Sequence, residues 1–217
     1  MMNFLVAYIL PVVTALCWTT VYVLVIRRNS IEKTYGIPLV VLGVNIALEV
    51  VFSFIIRPSI MDAQAWLWIS INVIWLILDA IILIQAIRYG PLENWPSKTF
   101  FYGSLTAALV FGFAGVLALT FEFQDLEGQW SSFIDNFLMS VLFIPMLYQR
   151  GIKGQSLYIA LLKLVGTLAI GVGYLAADPT SPLQWYLTAS ILFFDTIYSV
   201  LLYRKIRAAG LNPWTRF

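Results

Sequence analysis

Apolar residues fill this chain in long unbroken stretches, and polar residues cluster in short segments between them. Seven stretches stand out, at about 3–26, 37–56, 66–87, 99–121, 130–149, 156–177 and 183–203. Each ends at charged, Pro- or Gly-containing punctuation: Arg27-Arg28-Asn29-Ser30, Arg57-Pro58, Gly90-Pro91, Glu122 to Gly128, Gly151 to Gly154, and Asp178-Pro179. A helix needs about 20 apolar residues to cross ~30 Å of hydrocarbon. The pattern therefore predicts an all-α membrane protein, with seven transmembrane helices in one domain over residues 1–217. Connections are short, so consecutive helices are expected to pack antiparallel. The first stretch is too long, and lacks the basic front end, for a removable signal peptide; it is expected to remain as the first helix. The second stretch is the shortest. The fourth carries Gly103, Gly112 and Gly115, residues that let helices approach closely.

Composition agrees with that class. Hydrophobic residues make up 61% of the 217 residues and charged ones 11%, roughly half the charged share of a soluble domain. A net charge of +2 is too small to point to a nucleic-acid partner. The single cysteine, Cys17, allows no internal disulfide and reads as a small hydrophobe.

Basic residues set the expected orientation. Eleven of the 13 lysines and arginines fall in the segments after spans 1, 3, 5 and 7. The other connections hold Arg57 with Asp62, Glu122, Asp125, Glu127 and Asp178. The N-terminus is expected outside or in a lumen, and the C-terminus in the cytoplasm.

Four ionisable residues lie deep within spans: Glu49, Asp79, Lys163 and Asp195. A charge at the bilayer centre costs at least ~2.5–3.5 kcal/mol, so such residues face the protein interior and mark function or pairing. At 1.5 Å per residue, Glu49 falls roughly 18 Å from the cytoplasmic face, Asp195 about 12 Å, and Asp79 and Lys163 near ~10 Å. Lys163 shares a level with Asp79 and Asp195, and a structural ion pair with one of them is expected. Such a pair would hold that acid ionised and unfit to donate a proton. Glu49 is farthest in depth from Lys163, so it is the acid expected to keep its proton. Asp135 lies near the outer face and reads as solvated.

Helical spacing extends each acid into a stripe. Asn45 precedes Glu49 by four; Trp68, Asn72, Trp75 and Asp79 share a face; Thr188, Asp195, Tyr198 and Ser199 adjoin; span 1 offers Tyr8, Pro11, Trp18 and Tyr22. The expected picture is a membrane cavity with aromatic and aliphatic walls and a few carboxyls and amides. Asn45, Asn72, Trp75, Asp79, Trp18 and Tyr198 are its supporting or substrate-binding candidates. Trp66, Trp130 and Trp185, at span ends, read as interfacial anchors.

The chain has no histidine, which removes the common metal sites and the Ser–His and Cys–His nucleophile pairs. A phosphate-cradling Gly-Lys-Ser/Thr loop is missing too. A retinal protein would need a lysine in mid-helix 7, where Asp195 stands instead. The Asp-rich magnesium motif of ionising terpene synthases and the Asp-x-Asp-Asp motif of soluble protonating cyclases are also missing. Carboxyls in an aromatic-lined cavity suit acid-started polyene cyclisation. A neutral carboxylic acid protonates an epoxide or alkene, aromatic faces stabilise the migrating cation, and a second acid or its conjugate base assists.

Several short motifs carry a family resemblance. They are Asn45-x-x-x-Glu49-Val-Val-Phe in span 2, Trp75-x-x-x-Asp79 and the following Arg88-Tyr89-Gly90 in span 3, and Asp195-x-x-Tyr198 in span 7. With these and its size, the chain resembles the small integral-membrane terpene cyclases of fungal meroterpenoid and indole-diterpene pathways, which also have bacterial relatives. The resemblance implies cyclisation of a prenylated aromatic or meroterpenoid substrate without metal or cofactor, with Glu49 and Asp195 as the essential acids. It implies a multi-pass protein of the endoplasmic reticulum in a fungus, or of the plasma membrane in a bacterium. Leu48 stands where fungal members would be expected to carry tryptophan, which points to a divergent or bacterial-type branch. Two other readings compete: a small seven-helix proton-coupled transporter, and a non-catalytic membrane scaffold. Transporters commonly show an internal repeat, and spans 1–3 share no motif with spans 5–7. A scaffold leaves three buried acids unexplained.

Overall fold

The structure, a computed structural model, describes residues 8–56 and 63–217. The first residues of the predicted span 1, and Arg57 and Asp62, lie outside the described residues. All regular structure among the described residues is helical: α1 Leu10–Glu32, α2 Leu39–Val50, α3 Ala63–Tyr89, α4 Lys98–Phe123, α5 Gln129–Arg150, α6 Leu157–Ala177 and α7 Pro182–Ala208. Six of these, all but α2, are long and apolar enough to cross a membrane. The helix α2 continues into one wide π turn, Val51–Ile55, and the combined Leu39–Ile55 segment is shorter than the others.

Starts follow serine caps: Ser97 accepts from the Phe100 N–H (3.0 Å), Ser156 from Tyr158 (3.2 Å) and Ser181 from Gln184 (3.2 Å). Each satisfies an amide that has no partner within its helix. Arg27 to Ser30 do not end α1 as expected; the helix runs on to Glu32. Its polar residues have partners there: Asn29 Nδ2 donates to Gln85 Oε1 (2.9 Å), and Gln85 Nε2 donates to Ser30 Oγ (2.9 Å). A polar run that finds amide partners does not need solvent, so it does not mark a helix end.

The chain forms two compact units: Asn29–Asp135, containing α2, α3 and α4, and residues up to Arg28 together with Asn136–Phe217, containing α6 and α7. In the α2–α4 unit, α2 and α4 meet backbone to backbone. A Cβ on Gly112 would lie 2.6 Å from the Gly43 carbonyl oxygen, and one on Gly43 would run into the Ala108 carbonyl. Of the three α4 glycines, Gly112 makes this approach, whereas a Cβ on Gly103 or Gly115 would meet nothing. Beside the contact lies an apolar cluster of Ala47, Leu48, Val51, Phe52 and Val116. Leu48 is part of that cluster, so an indole at this position would have to displace Val116 or Phe52. On α3, Ile74, Ile77, Ile81 and Ile84 are exposed, while Asp79, Ile82 and Ala86 are buried. The outward face is thus aliphatic, as lipid contact requires.

In the α6–α7 unit, the buried positions of α7 (Gln184, Leu187, Thr188, Ile191, Asp195, Tyr198, Ser199, Leu202, Ile206) repeat at helical intervals and define one face. A Cβ on Gly171 of α6 would lie 2.8 Å from Thr188 Cγ2. A Cβ on Gly166 would lie 3.0 Å from Cys17 Cβ and from Trp18 Cδ1, which brings α1 against α6. After α7 the chain folds back. Arg216 donates to the Ile152 and Gln155 carbonyls (2.7 and 3.0 Å), and Tyr158 OH donates to the Trp214 carbonyl (2.9 Å).

Candidate active site

Every predicted site residue lies among the described residues, in one unit or the other. The α2–α4 unit holds Asn45, Glu49, Asn72, Trp75 and Asp79. Asn45, Glu49 and Asp79 are buried, at 6%, 4% and 0% relative exposure. Asn72 and Trp75 are half-buried. Glu49 sits on the last turn of α2, immediately before the π turn. Asn45 and Glu49 share a helix face, and Ser53, four residues further, is also buried. Ser53 was not singled out by the sequence pattern, although its spacing from Glu49 carries the signal. The Arg88-Tyr89-Gly90 motif closes α3 and opens a single 3-10 turn, Gly90–Leu92. A Cβ at Gly90 would enter the Phe101 ring, and the Arg88 guanidinium and Lys33 ammonium each lie 5.6 Å from the centre of the Tyr89 ring.

The α6–α7 unit holds Trp18, Lys163, Asp195 and Tyr198, all buried. The Lys163 ammonium reaches Asp195 Oδ1 at 2.8 Å and Oδ2 at 2.7 Å, and donates to Ser140 Oγ at 2.7 Å. An ammonium has three N–H donors, and three acceptors surround this one. Lys163 and Asp195 are each 1% exposed. A buried pair so far from water depends on such additional partners. One helical turn on, Tyr198 donates its hydroxyl to Gln155 Oε1 and stacks on Phe143 (centroids 5.1 Å apart). Gln155 in turn lies 3.9 Å from Met146 Sδ. Ser140 and Gln155 were not legible as site residues, because contacts between sequence-distant helices leave no spacing pattern.

Trp18 is tilted against Tyr22, with centroids 6.3 Å apart, and both are buried. Tyr8, expected on the same inward stripe, is 59% exposed. Asp135, expected to be solvated near the outer face, is instead buried at 2% exposure. Its helix position fixes depth along the axis, and depth alone does not decide which face a side chain takes. Trp66 and Trp185 are exposed near helix ends, as interfacial anchoring requires, and Trp185 Nε1 donates to the Pro179 carbonyl (3.0 Å). A hollow of about 10 Å³ lies between α6 and α7, lined by Leu164, Thr167, Leu168, Thr188, Ile191 and Leu192. It has room for about one water and none for a prenylated arene.

The family model of Pyr4-like transmembrane terpene cyclases matches residues 3–208. Three fungal proteins illustrate the similarity. Terpene cyclase ascF of Acremonium egyptiacum is 28% identical over 216 residues, covering 86% of this chain and 77% of that protein. Pyr4-family terpene cyclase mfmH of Annulohypoxylon moriforme is 29% identical over 147 residues, covering 65% and 58%. Asnovolin H synthase nvfL of Aspergillus novofumigatus is 28% identical over 213 residues, covering 91% and 85%. No solved structure matches the chain.

Proposed function

We propose, since this chain belongs to the Pyr4-like transmembrane terpene cyclases, that it closes rings on a lipophilic prenylated aromatic substrate by acid catalysis within the membrane, with Glu49 as the proton donor. The observation that carries this assignment is the contact of Lys163 with both Asp195 oxygens. Of the two acids that the motif resemblance brings forward, the one paired with an ammonium is the poorer proton donor, which favours Glu49. Glu49 is buried on a helix whose same face carries the uncharged Asn45 and Ser53. Burial raises the cost of a carboxyl's ionised form.

In the proposed reaction the Glu49 carboxyl gives its proton to a terminal epoxide or alkene. The epoxide C–O bond breaks, or the alkene π bond is consumed, and a carbocation forms. Internal double bonds attack in turn, and each new C–C bond moves the positive charge along the chain. Loss of one proton from the final cation balances the proton supplied, so the product is an isomer of the substrate. Asp195 is the group assigned to assist the acid or to accept the cation's last proton. Trp18, Trp75 and Tyr198 supply faces suited to cation–π attraction, and Asn45, Asn72 and Asp79 orient the acid and the chain. No metal takes part in this scheme.

The whole chain, residues 1–217, is read as one functional domain. With eleven of 13 basic residues in alternate connections, the positive-inside rule supports an outside or lumenal N-terminus and a cytoplasmic C-terminus, in the endoplasmic reticulum of a fungal cell or the plasma membrane of a bacterial one. Membership in a cyclase family leaves the transporter and scaffold readings without support.

The test uses purified protein in detergent, with 5-methylresorcinol carrying a farnesyl chain, plain or terminally epoxidised, and product isomers identified by mass spectrometry and NMR. Glu49→Gln should accumulate and fold normally yet lose at least about a thousandfold in kcat, the scale of removing a reacting acid. Chelator should leave wild-type turnover intact. Full activity of Glu49→Gln, or a strict magnesium requirement, would refute the mechanism.

A further inference from the structure

Hydroxyl side chains on helices in apolar surroundings commonly bond back to the carbonyl four residues earlier. Thr20, Ser70, Thr120, Ser140 and Thr196 all do so here, at 2.7 or 2.8 Å. Two serines break the habit. Ser53 and Ser199 are buried, at 3% and 8% exposure. Among the described residues, theirs are the two buried serine hydroxyls with no hydrogen-bond partner. A buried hydroxyl left without a partner has lost its bond to water and gained nothing in return. Each of the two stands four residues after an acid, Ser53 after Glu49 and Ser199 after Asp195, and residues so spaced face the same way.

Ser53 also occupies the middle of the π turn Val51–Ile55. Such a turn widens the helix and is frequent at functional sites. The donor beside Glu49 is therefore buried, in reach of the acid's helix face, and uncommitted.

We propose that Ser53 is a positioning residue for Glu49, whose hydroxyl hydrogen-bonds the carboxylate that remains once Glu49 has given up its proton. This inference rests on the assignment of Glu49 as donor and deepens it. A hydroxyl bond to a carboxylate is roughly twice as strong as one to a neutral acceptor. It forms as negative charge develops, so it lowers the barrier without tightening the ground state. The Ser53 O–H bond itself stays intact. The proton moves from Glu49 to the substrate, and Ser53 supplies only a hydrogen bond.

The experiment is steady-state turnover of the terminally epoxidised farnesyl resorcinol by full-length protein. Ser53→Ala should lower kcat by about tenfold to a hundredfold, the lower range for loss of one preorganised donor, with KM held within about twofold. Ser53→Thr, which keeps the hydroxyl, should recover most of kcat. If Ser53→Ala does not accumulate as folded protein, Ser53→Cys, nearly the same shape with a weak donor, takes its place, and the same fall in kcat is expected. Unchanged kcat in Ala or Cys, a rise in KM in place of a fall in kcat, or a Thr variant as impaired as Ala would each overturn the role. Failure here is separable from failure of the mechanism. A dead Glu49→Gln beside a fully active Ser53→Ala removes only this inference, whereas an active Glu49→Gln removes the mechanism itself.

Discussion

The principal helix contact is built differently in the two units of this protein, and each unit carries one of the two candidate acids. In the α2–α4 unit the main contact is dry. Gly43, Ala108 and Gly112 bring two backbones together, and Leu48, Val51, Phe52 and Val116 fill the space beside them. In the α6–α7 unit the contact is polar. Lys163 ties Asp195 to Ser140, Thr167 donates to Asn136 (3.1 Å), and Tyr198 donates to Gln155. Lipid tails offer no hydrophobic drive for helix association, so close backbone approach and interhelical hydrogen bonds are the available means. The contrast teaches that both carboxyl oxygens of the acid in the polar unit are taken up by the bonds that hold its helices. The acid of the other unit, Glu49, stands on a helix seated by backbone contact.

The comparison is broken most sharply at Lys163. Lys163→Met leaves the Asp195 carboxylate buried without its cation and should cost about 3–5 kcal/mol of stability, read as a lower unfolding midpoint in detergent. Adding Asp195→Asn should recover most of that loss, because the second change removes the stranded charge, while turnover stays absent. A Lys163→Met protein as stable as wild type would mean that the ion pair does not hold the unit. At the dry contact, Gly112→Ala drives a methyl group into the Gly43 carbonyl and should cost about 1–3 kcal/mol. Gly115→Ala on the same helix, where a Cβ meets nothing, should be neutral or slightly stabilising. Equal midpoints for the two alanine variants would remove the backbone-contact argument.

The smallest effect belongs to the connection between α6 and α7. Asp178 accepts hydrogen bonds from the Thr180 hydroxyl (2.7 Å) and N–H (3.0 Å), and these hold its exposed carboxyl below the usual carboxylate range. A depressed folded value means that the contribution is present above the unfolded value of about 3.9 and fades as pH falls through the folded one. Asp178→Asn should therefore lower the midpoint slightly at neutral pH and not at all in strong acid. A difference that grows on acidification would reverse the sign.

Much of this was legible in the sequence because membrane crossing imposes a length. The long apolar stretches that became α3 to α7 needed no knowledge of partners to be recognised. Where partners decide, the pattern misled. Asn29 and Ser30 read as the end of a helix, yet Gln85, 55 and 56 residues away in sequence, satisfies them within it. Tyr8 and Asp135 had depth but no visible facing, and both turned the other way from expectation. The level shared by Lys163 and Asp195 could be counted off in residues, but the third acceptor, Ser140, could not. The π turn after Glu49 had no signal in the pattern either, because apolar residues continue through it without a break. Ser53 and Ser199 were at readable intervals from their acids. What the interval could not tell is that their hydroxyls decline the usual backbone bond.

The glycine contact between α2 and α4 has a consequence for anyone who would redesign this enzyme. Main-chain atoms in mutual contact have no rotamers to exchange, so Glu49 stands on a mount that side-chain replacements elsewhere on α2 leave undisturbed. The backbone beneath the acid then keeps its address through such changes, provided Gly43 and Gly112 are left alone.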